Sequence, residues 1–229
     1  MRSSLGARLA ASVLAPFVAV AISIAPAAAQ QVPHMPDSVA VTLSPATTAL
    51  LVMDVQTAIV AGAPSSMLRA VSVALDGAHA AGIPVVYIQV LLRPGRAGVS
   101  PRNKKLTRLH EMLTEGAPGL DILPAVAPLP DDFVLTKHRV SSFAGSGLDV
   151  LLRSLDVTHL VLTGASTSTA VLSTALAAAD LDFELTVLSD ACFNGSCVAL
   201  HELLLAELFP TIADVMTADQ WVVQWDKAR

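Results

Sequence analysis

Thr48-Ala-Leu-Leu-Val-Met-Asp54-Val-Gln56 is the stretch that decides how this chain folds. From Thr48 to Val52 the run is uncharged and apolar without alternation, which suits a strand buried on both faces inside a parallel sheet. Such a sheet needs helices on both sides. The run ends in a carboxylate, Asp54, at the strand's C-terminal end, the edge where ligands bind in open parallel sheets.

Downstream, the pattern repeats. Pro64 and Ser65 open a stretch in which Leu68, Val71, Ala74, Leu75 and Ala78 recur at helical spacing until Gly82 stops it. Pro84–Val90 then reads as a strand, as do Phe133–Thr136, Thr158–Thr163, Phe183–Leu188 and Ala213–Met216. Helices are expected over Leu148–Leu155, Val171–Ala179 and Val198–Leu208. Arg93–Pro130 is rich in Gly, Pro and basic residues and reads as a long irregular segment edging a site. Alternating strands and helices require right-handed parallel crossovers. The expected fold is therefore α/β: a three-layer α/β/α Rossmann-like domain on a mainly parallel sheet of about six strands.

Upstream, Arg2 and Arg8 precede an uncharged stretch from Leu9 to Ile24, followed by Ala27-Ala28-Ala29. This is the layout of a secretory signal peptide over residues 1–29. A membrane anchor is the competing reading, but Ser12, Pro16 and Ser23 interrupt the apolar run and small residues suit cleavage after Ala29. Residues 30–45, with Pro33, Pro36 and Pro45, read as an extended lead-in, and the domain as residues 46–229. A periplasmic or secreted protein, free of the membrane after cleavage, is expected. Of the 229 residues 53% are hydrophobic and 14% charged, enough for one sizeable core. The formal charge of −5 becomes −7 once Arg2 and Arg8 leave, which makes nucleic acid a poor partner.

Asp54, Lys137 after the third strand, and the Gly164–Ala170 turn after the fourth all fall on one sheet edge and should converge. Singly, each is ordinary: an Asp there caps or accepts from a loop, and a Lys is usually solvated. Together, Leu-Leu-Val-Met-Asp54-Val-Gln56, Lys137-His-Arg-Val-Ser141-Ser-Phe143 and Leu-Val-Leu-Thr-Gly164-Ala-Ser-Thr167 resemble consecutive motifs of the isochorismatase-like (cysteine hydrolase) superfamily. Asp190-Ala191-Cys192 and Phe209-Pro210 extend the likeness, which covers about Thr48 to Trp221.

The resemblance implies a hydrolase of a small molecule, with Asp54 as acid/base and Lys137 beside it. It places Gln56, Ala165, Ser166 and Thr169 at the substrate, with a cis peptide at Ala165-Ser166. The position that carries the nucleophilic cysteine in cysteine-dependent members falls on Ala170, which cannot attack anything. Thioester chemistry needs that thiolate, whereas the isochorismatases proper lack the cysteine and are understood to work through the Asp. Two readings follow: a hydrolase without a cysteine nucleophile, or a catalytically silent binding or assembly protein that kept the fold.

Ser168, Thr169 and Ser173 have no histidine near them in sequence to act as a base, and Ser168 or Thr169 reads as a helix cap rather than a replacement nucleophile. No cofactor is expected. His79, His110, His138, His159 and His201 lack ligand spacing, so no metal is expected either. Cys192 and Cys197 flank a turn-like Asn194-Gly195 and are candidates for a disulfide in an oxidising compartment, with two reduced thiols the alternative. Relatives in this superfamily are often oligomeric, so a homo-oligomer is compatible with the resemblance.

Overall fold

A computed structural model describes residues 44–226. The expected signal peptide at 1–29 and the part of the expected lead-in before Ser44 lie outside the described residues. Ser44 caps a single 3-10 turn, Pro45–Thr47, that delivers the chain into β1 (Thr48–Met53). There follow α1 (Ser65–Ala81), β2 (Val85–Val90), α2 (Lys104–Leu113), β3 (Phe133–Lys137) and α3 (Leu148–Ser154). The second half runs β4 (His159–Ala165), α4 (Leu172–Ala179), β5 (Glu184–Phe193), α5 (Val198–Leu203), β6 (Asp214–Met216) and α6 (Ala218–Asp226).

The described strands form one six-stranded sheet in the order β3-β2-β1-β4-β5-β6, every neighbouring pair parallel. β1 lies inside the sheet and all six of its residues are buried, as an unalternating apolar run demands. Leu50, Val52 and Tyr87 pack on one face with residues of α1 and with Trp221 of α6. Ala49, Leu51 and Met53 pack on the other with Leu148 and Leu152 of α3 and Ala175 of α4. This is the three-layer α/β/α arrangement.

The strand order reverses between β1 and β4, whose register runs from Thr48 against His159 to Met53 against Gly164. At Gly164 the two strands come so close that a Cβ would lie 2.0 Å from the Met53 carbonyl oxygen, and φ is +118°. Only glycine fits both constraints. A crevice opens beyond such a reversal, because the crossovers on its two sides depart in opposite directions.

Two elements depart from the sequence reading. Arg93–Pro130 is not irregular throughout: it contains α2, capped by Asn103, whose Oδ1 accepts from Leu106 N at 3.0 Å. Leu106, His110 and Leu113 form its buried stripe, packed with Val90, Leu92 and Leu120 in a satellite core. At the C-terminus, α6 extends the fold past β6. The helix after β4 also begins in a wide π-type turn, Thr167–Val171, before continuing as α4.

Candidate active site

Asp54 is the first residue past β1. Its backbone N still donates to Ile88 O at 2.8 Å, but its φ of +52° turns the chain out of the sheet. The carboxylate is thereby left at the crevice between β1 and β4. Lys137, the last residue of β3, reaches it from two strands away: Nζ donates to Asp54 Oδ2 at 2.9 Å and to Val140 O at 2.7 Å. Both side chains are sequestered from water, Lys137 at 1% and Asp54 at 9% exposure.

Burial and pairing pull the Asp54 pKa in opposite directions. Loss of water favours the neutral acid, while the charge and hydrogen bond of Lys137 favour the carboxylate. Burial wins, and the pKa is raised from 3.8 to about 6. The second oxygen, Oδ1, is buried and has no hydrogen-bond partner among the described residues. A buried acceptor left unpaired costs about 1–3 kcal/mol, so it is a place where a ligand or water donor is worth most.

Asp54 lines a cleft of about 460 Å³ together with Ala165, Ser166, Thr169 and Ala170 from the turn between β4 and α4. The Ala165-Ser166 peptide bond is cis. Ala170, 2% exposed, brings a methyl group to the position that the resemblance gives to the nucleophile. Another part of the lining falls in the Arg93–Pro130 segment that was expected to edge a site, though as a helix rather than an irregular stretch. It comes from α2, through Lys105, Leu106, Leu109 and Met112, and Arg139 joins it from after β3. Burial and the neighbouring charge of Lys137 lower the pKa of Lys105.

Three candidate residues lie elsewhere. Gln56 is fully buried, and its amide is spent on the backbone: Nε2 donates to Val90 O at 3.2 Å and Leu120 O at 2.7 Å, and Oε1 accepts from Val90 N at 2.8 Å. It pins the loop that carries the cleft wall and is not itself a lining residue. Cys192 and Cys197 are not bonded. Cys192 faces the core within β5, where burial pushes its thiol up to about 12, whereas Cys197 is exposed ahead of α5. The sheet directs the two thiols into different environments.

Thr167 and His201 were distant in sequence but meet in space, Oγ1 to Nδ1 at 2.9 Å. Thr167 is fully buried and does not line the cleft, so this contact ties α5 to the turn rather than arming a nucleophile. His138 Nδ1 donates to Leu91 O at 2.6 Å, beside a separate pocket of about 180 Å³. Among the described residues no group of three or more His, Cys, Asp or Glu converges as a metal site would require.

Comparison with known proteins agrees with this geometry. The isochorismatase domain model matches residues 48–220. Ureidoacrylate amidohydrolase RutB of Methylobacterium radiotolerans is 31% identical over 213 residues, spanning 80% of this chain and 81% of that protein. An isochorismatase family protein from Burkholderia thailandensis superposes with a TM-score of 0.68 at 28% identity, covering 81% of this chain and 98% of the other. A cysteine hydrolase from Pseudomonas syringae pv. phaseolicola superposes with a TM-score of 0.76 over 82% and 96% of the two chains, and at 20% identity it speaks for the fold alone. With the parallel sheet, the crevice at its reversal and the domain match in place, this chain belongs to the isochorismatase family of hydrolases.

Proposed function

We propose that this protein is an exported hydrolase that cleaves a small anionic molecule without a covalent thioester, Asp54 moving the proton and water attacking. The observation that carries the reading is the Asp54 carboxylate: one oxygen held by Lys137, the other unpartnered at a cleft whose nucleophile position is a methyl group. A base with a pKa near 6 is largely ionised at neutral pH and still basic enough to take a proton from water.

In the proposed reaction, water bound at Asp54 Oδ1 gives a proton to the carboxylate as its oxygen bonds to the substrate's carbonyl carbon. The tetrahedral intermediate then collapses, and Asp54 returns the proton to the departing nitrogen. Lys137 stabilises the carboxylate before the transfer and fixes which oxygen is free. In an enol-ether substrate the same carboxyl would act first as an acid, with water adding afterwards.

Lys105 and Arg139 support the anionic character of the substrate. Both line the cleft, and among the described residues neither forms an ion pair and Asp54, already paired with Lys137, is the one acid in the lining. The names of the curated relatives put amides and ureides first among candidates. Export rests on Arg2, Arg8 and the apolar stretch that ends at Ala29.

Ala170 favours a second reading, a silent binding protein that keeps the cleft and has lost the chemistry. Purified protein tested against carboxylate-bearing amides, ureides and enol ethers separates the two. Hydrolysis of any of them supports the enzyme, and saturable binding without turnover supports the silent protein.

A further inference from the structure

Asn194, in the loop after β5, has a role in this cleft that the Asp54–Lys137 pair does not supply. Its side chain is 3% exposed and fully engaged. Nδ2 donates to Cys197 O at 2.8 Å, and a carbonyl oxygen accepts only a donor, so the amide can be oriented in one way only. Oδ1 consequently faces three hydroxyls: Ser166 Oγ at 2.7 Å, Ser168 Oγ at 3.0 Å and Ser196 Oγ at 3.3 Å. Ser166 and Ser196 both line the cleft, on the wall that also carries Ala170.

A serine hydroxyl has one proton and two lone pairs. Where the proton is committed to Asn194 Oδ1, what remains for a ligand is a lone pair. The Ser166 hydroxyl is held most tightly, and Asp54 Oδ1 is a further acceptor at the same end of the cleft. Lys105 and Arg139 line the same cleft and are donors only, the Arg139 guanidinium being held by His138 O and Gly98 O. The cleft thus carries acceptors beside Ala170 and cations in the same lining.

We infer that Asn194 is a positioning residue: its two oxygen lone pairs are filled by the closest hydroxyls, Ser166 and Ser168, so the cleft-lining Ser166 hydroxyl becomes an obligate acceptor and the cleft selects a small organic anion that also carries N–H donors, as a primary amide or ureide does. This rests on the reading of the Asp54 cleft as the substrate site and adds to it the hydrogen-bond polarity of the substrate's reacting end.

Succinamate and levulinate provide the test. They are monoanions of nearly the same shape that differ by an NH2 in place of a CH3. In isothermal titration calorimetry the wild-type protein should bind succinamate about tenfold more tightly, the effect of two modest net hydrogen bonds. Asn194→Ala frees the hydroxyls to rotate and should bring the ratio of the two affinities close to one. Ser166→Ala leaves the rest of the Asn194 web intact and should also reduce the ratio, which keeps the test open if Asn194→Ala does not fold. Loss of structure alone would weaken both ligands together and leave their ratio unchanged.

Equal affinities in the wild type, an unchanged ratio in both variants, or no binding of succinamate up to about 20 mM, where a real if weak site would register, overturns the inference. The readout is a binding ratio, independent of turnover. A ratio of one in a protein that hydrolyses amides through Asp54 would sink this inference and leave the proposed function standing. A tenfold ratio in a protein that hydrolyses nothing would do the reverse.

Discussion

At the scale of the residue, the account turns on a carboxylate whose ionisation is contested between burial and Lys137. If Asp54 acts as the base, the rate should rise as pH climbs through about 6 and level off above it. Lys137→Met removes the charge and hydrogen bond that lower the Asp54 pKa, so the limb of the profile should move to higher pH. The sign for stability follows from linkage: a folded-state pKa above the ordinary 3.8 means the fold binds the extra proton, and stability falls as pH rises through that window. Lys137→Met should therefore cost about 3–5 kcal/mol at pH 8, where a buried carboxylate is left unpaired, and clearly less at pH 5. Denaturant melts at the two pH values check this, and an equal loss at both would contradict it. A second prediction concerns Ala170. In a Cys197→Ser background, Ala170→Cys should give a thiol that alkylates with a pKa well below ~8.5, because it would sit in the Asp54 cleft at the turn into α4. An inert thiol would contradict the placement of the nucleophile position.

Among the elements, the closest approach in the sheet makes the sharpest stability prediction. Gly164→Ala would force a Cβ into the Met53 carbonyl at a φ that alanine rarely adopts, and should cost about 3 kcal/mol or more, read as a lower urea midpoint. A change below about 0.5 kcal/mol would mean that β1 and β4 are not packed as described. The strands were legible because apolar runs such as Thr48–Val52 and Thr158–Thr163 declare themselves without any tertiary information. Two helices were not read, although their signals exist. Thr217 and Gln220 form a reciprocal cap, Gln220 N to Thr217 Oγ1 at 3.2 Å and Thr217 N to Gln220 Oε1 at 2.9 Å, ahead of Trp221 and Trp225 on one face of α6. In α2 the stripe Leu106, His110 and Leu113 is brief and flanked by Pro101 and Gly116, so the surrounding turn residues masked it. That omission mattered most, since α2 supplies Lys105 and the leucines and methionine of the cleft lining.

For the molecule as a whole, the strand order β3-β2-β1-β4-β5-β6 brings together what the chain keeps far apart: Asp54 and Ala170 line one crevice because β1 and β4 bound the reversal, and Lys137 reaches Asp54 from β3, two strands away. Their convergence could be read from strand ends. The commitment of Gln56 to backbone, the meeting of Thr167 with His201 and the Asn194 web could not, because they depend on where loops return. The proposed export carries its own expectation: protein recovered from the periplasm or medium should begin at Gln30 on N-terminal sequencing, and full-length chain retained in the cytoplasm or membrane would contradict it. The central claim, that Asp54 directs water in a hydrolase without a cysteine, is tested most directly by comparing wild type and Asp54→Asn on any amide, ureide or enol ether the protein hydrolyses. The substitution keeps size and hydrogen bonding and removes the proton-transferring group, so turnover should fall by roughly 100-fold or more. An Asp54→Asn variant that turns over as fast as the wild type would contradict the assignment of the site.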